Sequence, residues 1–141
     1  MAGNTTLTII KPDAFGAGKA GKIIALLEEK GFTIRAARVM QLTKAQAGEF
    51  YAIHRERPFY GELVQFMTSG PCMPIVLENA GAVSALRDAI GATDPAEAAA
   101  GTVRKLYAES KGRNAIHASD SDENAQREAR FFFAETDLLW G

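Results

Sequence analysis

Four short β-rich runs, separated by connections long enough to carry helices, constrain this chain's fold more than any other feature. Residues 6–10 form a continuous apolar-rich run, as in a buried strand. Lys11-Pro12-Asp13 stops it, because proline restricts the residue before it and donates no N–H. Residues 32–42 alternate instead: Phe32, Ile34, Ala36, Met40 and Leu42 are expected on one apolar face. Arg38 interrupts that face, which suits a position near a sheet edge. Residues 73–78 form a third run, in which Pro74 would remove a ladder donor, so a bulge or an unpaired position is expected there. Residues 114–117 form the fourth.

The connections read as helices. Ala20, Ile23, Ile24 and Leu27 have helical spacing, closed by Gly31. The glycines before them are expected to form a flexible entry. Thr43 can cap a helix carrying Ala47, Phe50, Tyr51 and His54. A second helix, opened by Pro58, carries Phe59, Leu63, Phe66 and Met67, completing a helical hairpin. Another begins at Asn79 or Gly81, carries Val83, Leu86, Arg87 and Ile90, and is closed by Gly91. Thr93-Asp94-Pro95-Ala96-Glu97 reads as a short helical turn, and residues 102–107 as a further helical piece. A last helix from Ser121 places Ala125, Ala129, Phe132 and Phe133 inward, with Glu128 beside them. Leu138, Leu139 and Trp140 need a surface to dock on. This order fits an α+β fold: a ferredoxin-like βαββαβ sandwich with a four-stranded antiparallel sheet and an extra helical hairpin.

With 141 residues, 47% of them hydrophobic, the chain is expected to be one domain spanning 1–141. A formal net charge of −1 argues against a general nucleic-acid binder. The lone cysteine, Cys72, excludes an internal disulfide and suits a buried apolar site. Residues 1–6 show no basic, apolar leader, and no apolar run approaches the ~20 residues of a membrane span. A cytoplasmic location is expected.

The chemistry centres on residues 114–121, Asn-Ala-Ile-His-Ala-Ser-Asp-Ser. His117 is one of two histidines. It stands where a strand ends and a helix begins; Asp120 and Glu123 read as that helix's capping box. Free N–H groups at such a helix start favour an anion. The alternative is a histidine that merely closes a strand. Lys11, at the end of the first strand, could meet a phosphate or lie solvated. Phe59 could stack on a base or belong to the core. The glycines Gly16, Gly18 and Gly21 match two phosphate-binding patterns, G-x-G-x-x-G and G-x-x-x-x-G-K, but fit neither context. Five residues separate the strand from the first glycine, and Ile23 occupies the Ser/Thr position.

Six segments, in order and spacing, carry a resemblance to a known family. They are Thr8-Ile9-Ile10-Lys11-Pro12-Asp13-Ala14, Arg57-Pro58-Phe59-Tyr60, Met67-Thr68-Ser69-Gly70-Pro71, Gly91-Ala92-Thr93-Asp94-Pro95, Gly101-Thr102-Val103-Arg104 and Asn114-Ala115-Ile116-His117-Ala118-Ser119-Asp120-Ser121. Along almost its whole length the chain closely resembles a nucleoside diphosphate kinase. The resemblance implies a ping-pong phosphotransfer: a nucleoside triphosphate such as ATP gives its γ-phosphoryl group to His117, and the pros-phosphohistidine passes it to a nucleoside diphosphate. It implies Mg2+ held mainly by the nucleotide phosphates, with no protein side chain as ligand. It implies a phosphate-side loop and a homo-oligomer built from dimers, tetrameric or hexameric, with no membrane and no specific nucleic-acid partner.

The same resemblance assigns roles. Lys11, Arg87 and Arg104 would supply cations, Thr93 a bond to a phosphate oxygen, and Lys11 with Asn114 the contacts to the ribose hydroxyls. Tyr51 would adjoin Lys11 and His117. Phe59 would stack on the base with Leu63 beside it, and stacking accepts any base. Glu128 and Ser119 would orient His117, and His54 lies near the phosphates or packs. Neutral imidazole needs little activation as a nucleophile near neutral pH, and phosphoryl transfer needs mainly positioning and charge neutralisation. Departures from the family pattern are Ala118 for the usual glycine, Tyr60, Pro74, Lys105-Leu106 and Tyr107. Alanine resists positive φ, so the backbone at Ala118 is expected to be ordinary or slightly shifted, with its carbonyl holding the second ring nitrogen. A non-catalytic nucleotide-binding regulator, or a histidine phosphocarrier fed by another protein, would use the same fold. His117, Ser119 and Glu128 together favour the enzyme.

Overall fold

The computed structural model describes residues 3–140. Met1 and Ala2, part of the leader reading, and Gly141 lie outside the described residues. Strands β1 (Thr5–Ile10), β2 (Thr33–Ala37), β3 (Met73–Glu78) and β4 (Ile116–Ala118) form one antiparallel sheet in the order β2-β3-β1-β4. The helices are α1 (Pro12–Gly16), α2 (Ala20–Glu29), α3 (Lys44–Phe50), α4 (Tyr60–Met67), α5 (Ala82–Ile90), α6 (Val103–Tyr107), α7 (Asp122–Phe132) and α8 (Glu135–Leu138). The path β1-α2-β2-β3-α5-β4 is the ferredoxin-like arrangement, with the helical hairpin α3–α4 inserted between β2 and β3.

Alternation along the central strands supplies two cores. Ile10, Ile75 and Leu77 face α2 and α5 through Ile23, Leu27, Leu86 and Ile90. Leu7, Ile9 and Val76 face α3, α4 and α7 through Phe50, Met67, Ala129 and Phe132. Both faces of β1 and β3 are therefore covered, which explains why residues 6–10 read as a continuous run rather than an alternating one.

The second strand is shorter than its sequence suggests. A register shift between Ile34 and Ala36 inserts Arg35 as an extra residue against β3. A bulge of this kind reverses which face later residues meet. Phe32 and Ile34 pack in the first core, whereas Ala36, Met40 and Leu42 pack in the second. The single apolar face expected from spacing is thus split. Beyond β2 the ladder gives way to the Arg38 N–H bond to Pro74 and an isolated bridge, Met40 to Cys72. β2 is an edge, as Arg38 suggested. The irregularity lies opposite Pro74's strand rather than at Pro74. Pro74 accepts a bond from the Arg38 N–H, beyond the last residue of β2, where no strand needs its missing donor.

Other boundaries also differ. Pro12 opens the one-turn helix α1, where a missing N–H costs nothing, instead of a loop. Thr43 and Gln46 form the capping box of α3, but that helix ends at Phe50, and Ala52–His54 is a separate 3-10 turn. The next helix starts at Tyr60, after Phe59. Residues 93–97 form the short turn expected, with the Glu97 N–H on the Asp94 carbonyl and Asp94 Oδ1 accepting from the Ala96 N–H. β4 runs Ile116–Ala118, two residues later at its start than expected. Ser121, not Asp120, caps α7, accepting from the Asn124 N–H. Asp120 instead accepts from the Asn124 side chain. The tail docks through Leu138 on the second core and through Trp140, which lies over the Arg35 guanidinium at 4.1 Å. Among the described residues no helix is long and apolar enough to cross a membrane.

Candidate active site

The carboxyl end of β1 and the start of β4 meet in antiparallel register, Ile9 opposite His117 and Ile10 opposite Ile116. This pairing brings Lys11 beside the segment that leads into His117. Lys11 is 8% exposed, not solvated, and its Nζ donates to Asn114 Oδ1 at 2.8 Å. Burial, aided by the positive charge of Arg104, lowers its pKa from 10.5 to about 8, against a smaller opposing pull from Asp13.

Arg104, carried on α6, is equally buried. Its guanidinium donates to three main-chain carbonyls: Asn114 at 3.4 Å, Gly91 at 3.1 Å and Ile116 at 2.8 Å. Burial first, then the nearby Arg87 charge, lowers its pKa to about 10. Among the described residues neither Lys11 nor Arg104 makes an ion pair. Two buried cations held by neutral oxygens are costly unless an anion joins them. Arg104, Arg87 from α5 and Thr93 line one cleft of about 420 Å³. Asn114 Nδ2 donates to the Thr93 carbonyl at 3.4 Å, tying the cleft wall to the Lys11 side.

His117 stands on β4 with its side chain 17% exposed. Its Nε2 lies 2.7 Å from Glu128 Oε1, and the Ser119 hydroxyl donates to that same oxygen at 2.7 Å. A carboxylate oxygen only accepts, so in the neutral ring this contact places the proton on Nε2 and leaves the Nδ1 lone pair free. The second ring nitrogen is therefore held by Glu128, not by the carbonyl of residue 118. Ser119 reaches His117 only through Glu128. Glu128 stands on the inner face of α7, since Ala125, Glu128, Ala129 and Phe132 are all buried there. Phe50 and Tyr51 pack edge-on against the imidazole, with centroids 5.4 and 6.2 Å away. The Tyr51 hydroxyl is buried without a hydrogen-bond partner, and burial pushes its pKa upward, so it stays neutral. Tyr51 thus adjoins His117, and among the described residues no hydrogen bond links it to Lys11.

On the hairpin, Phe59 is 48% exposed, with its ring 5.4 Å from that of His54. His54 in turn stacks on Tyr51 at 6.5 Å. Leu63, one turn further on, packs into the second core rather than standing free. No cluster of three His, Cys, Asp or Glu side chains suited to a metal occurs among the described residues.

Three features escaped the sequence reading. Asp13 accepts from the Ala115 N–H at 3.0 Å. Ala115, not Ala118, has the positive φ, at 74°. Gly91, at φ 89°, presents the carbonyl that receives Arg104, and a Cβ there would lie 2.6 Å from Thr102 Oγ1. Asp13, Gly91 and Ala115 all lie inside the segments that carried the resemblance, the one available signal. An alanine in itself does not announce a positive φ.

Comparison with known proteins gives a consistent answer. Residues 4–138 match the family model described as nucleoside diphosphate kinase. The chain is 60% identical over 134 residues to a protein of that name from Chlorobium luteolum, covering 95% of this chain and 96% of that one. It is 55% identical over 139 residues to one from Gluconacetobacter diazotrophicus, covering 99% of each. The solved nucleoside diphosphate kinase of Aquifex aeolicus superposes with a TM-score of 0.94 at 46% identity, covering 96% of this chain and 99% of that one. A halophilic one from Halobacterium salinarum, solved in complex with CDP, gives 0.91 at 37%, covering 100% of this chain and 94% of that one.

Proposed function

The chain belongs to the nucleoside diphosphate kinase family and carries that enzymatic activity, and we propose that His117 is the group through which the phosphate passes. The observation that carries the proposal is the Nε2–Glu128 contact at 2.7 Å, which leaves Nδ1 as the nucleophile. Nδ1 attacks the γ-phosphorus of a nucleoside triphosphate; the bond to the bridging oxygen breaks, and the nucleoside diphosphate leaves with that electron pair. In the second half-reaction a terminal β-phosphate oxygen of another nucleoside diphosphate attacks the phosphorus. The N–P bond then breaks, returning neutral imidazole. Positive charge arises on the ring as the N–P bond forms, and the Glu128 carboxylate on Nε2 offsets it.

Lys11, Arg87 and Arg104 neutralise the oxygens over which negative charge spreads, and Thr93 donates to one of them. The lack of ion pairs on the two buried cations supports this role. Mg2+ would be held mainly by the nucleotide's phosphate oxygens, the ligands such a hard cation prefers, and would neutralise part of their charge. The cleft carries Arg87 and Arg104 with two carboxylates, Asp88 and Glu97, and no cluster of three possible metal ligands occurs among the described residues. Phe59 stacks on the base beside Leu63, and Lys11 and Asn114 meet the ribose hydroxyls. Ser119 and Glu128 orient the imidazole, with Tyr51 packed on it. We place the enzyme in the cytoplasm, as one domain assembling through dimers into a tetramer or hexamer; light scattering tests the assembly.

Incubation with γ-labelled ATP and Mg2+ is expected to give an acid-labile, alkali-stable phosphoenzyme that ADP or dTDP discharges. His117→Ala is expected to take up no label. Full labelling of that variant would end the proposal.

A further inference from the structure

We infer that Asp13 is a positioning residue for the transfer, because its carboxylate clamps a strained turn two residues before His117. The inference rests on His117 being the phosphate acceptor. Ala115 has φ 74°, and the Ile116 N–H donates to the Asn114 carbonyl at 2.9 Å. This closes a three-residue turn of the rare, strained, positive-φ kind. Such a conformation in a non-glycine residue persists only when its surroundings over-determine it. Here the pins can be named. The Lys11 N–H donates to the Ala115 carbonyl at 2.8 Å, and Arg104 binds the carbonyls of Asn114 and Ile116. Asp13 Oδ2 accepts from the Ala115 N–H at 3.0 Å.

Lys11, Arg104 and Asn114 also face the proposed substrate, so their loss would confuse binding with geometry. Asp13 acts on Lys11 by its charge, which Asp13→Ala and Asp13→Asn remove alike, so the difference between those two variants reads the bond to the turn. The second Asp13 oxygen, Oδ1, is buried without a partner. A carboxylate spends that desolvation for one bond to one backbone N–H, and the chain immediately beyond that N–H sets the register of His117 opposite Ile9. Release of the turn would let Ala115 relax toward negative φ and carry the imidazole away from the line of attack.

The test measures kcat, KM for ATP and the rate of phosphoenzyme formation in Asp13 variants. Asp13→Ala is expected to lower kcat on the order of 10²-fold, the scale of a small misplacement of reacting groups, with KM changed far less. Asp13→Asn retains a carbonyl acceptor for the Ala115 N–H and is expected to lose far less. Ala115→Gly removes the penalty on positive φ, so Asp13→Ala combined with Ala115→Gly is expected to recover about tenfold. A kcat for Asp13→Ala at the parent value, an Asn variant as slow as the Ala variant, or no recovery in the double variant overturns the inference. Should Asp13→Ala not fold, Asp13→Glu takes its place. That variant keeps the charge but moves the acceptor by a methylene, and it is expected to slow kcat about tenfold and to be rescued by Ala115→Gly; parent activity in Asp13→Glu would also overturn the inference. His117→Ala, run alongside, keeps the two readings apart. Label on that variant defeats the acceptor assignment whatever Asp13 does, whereas a fast Asp13→Ala defeats only the clamp.

Discussion

Lys11 supplies the sharpest quantitative prediction. Its ammonium is buried with Asn114 Oδ1 as its one hydrogen-bond partner, and its pKa falls from 10.5 to about 8. Between those values the unfolded chain binds more protons at this site than the folded one. Unfolding free energy from this group therefore rises with pH across that window, and burial of the charged form carries its full cost below pH 8. From pH 7 to pH 9.5 the gain works out at about 2 kcal/mol, taking 1.36 kcal/mol per unit. Lys11→Met keeps most of the stem and has no proton to lose. Urea unfolding of both proteins at one protein concentration, at pH 7, 8 and 9.5, is the assay. The difference between them should move by about 2 kcal/mol in favour of the parent as pH rises. At pH 7 the variant should be as stable as the parent or more so, because relief of desolvation offsets the orphaning of Asn114 Oδ1, about 1–3 kcal/mol. Activity of the variant should be almost abolished. Parallel curves for the two proteins would refute the claim that this ammonium is held desolvated while it waits for an anion.

Other substitutions test other parts. Glu128→Gln can present its amide to Nε2 and so move the ring proton onto Nδ1; kcat, read from phosphoenzyme formation, should fall about 10- to 100-fold, the scale seen when the partner that orients a metal-bound histidine is lost. An unchanged rate would mean that the contact does not set the tautomer. Phe59→Ala should raise KM for purine and pyrimidine nucleotides alike by roughly ten- to a hundredfold, the value of one stacked base, while the melting temperature stays put because the ring is 48% exposed. Gly91→Ala meets both a φ of 89° and Thr102 Oγ1 at 2.6 Å, so calorimetry should show a loss on the order of 3 kcal/mol. Arg35→Ala removes the cation under the single tryptophan, Trp140, and should red-shift its emission and broaden the tail's signals; an unchanged spectrum would mean the tail holds without that contact.

Periodicity reveals the elements but not their irregularities. The two-core sheet was legible because Leu7, Ile9 and Ile10 are apolar on both faces, and α5 because Val83, Leu86 and Ile90 repeat at helical spacing. The bulge at Arg35 was not legible, since nothing in Ile34-Arg35-Ala36 distinguishes an inserted residue from an alternating one. The cost of that miss was the face assignment of Ala36, Met40 and Leu42. The one-turn helix α1 was not legible, because a single turn depends on local hydrogen bonds rather than on an apolar stripe. The candidate site was legible only through motif order. Spacing alone left Lys11 a surface lysine and Phe59 a core residue, because burial of a charge and exposure of an aromatic both run against the residue's usual tendency. Neither the partner of His117 on α7 nor the Asp13–Ala115 bond has a local signature, the residues being 11 and 102 positions apart.

The positive φ at Ala115 and the two unpaired cations belong to one argument. A chain selected for stability alone would place glycine at that turn and an acid beside Arg104. Glycine would lower the cost of positive φ and so leave less for Asp13 to hold. A carboxylate close to Arg104 would satisfy its charge but compete with phosphate oxygens for it. In this chain the turn is instead held by groups from β1, α1 and α6, and the cations are held by carbonyls, which fix their positions without neutralising them. The penalty therefore falls on the nucleotide-free protein and is relieved when a polyanion binds. Stability gained by nucleotide binding should accordingly exceed what Phe59 stacking supplies, and it should shrink as pH rises through 8, where Lys11 in the nucleotide-free protein is half deprotonated. Melting curves with and without ADP at pH 7 and pH 9.5 measure that shrinkage; a shift equal at both pH values would place the binding energy elsewhere than on Lys11.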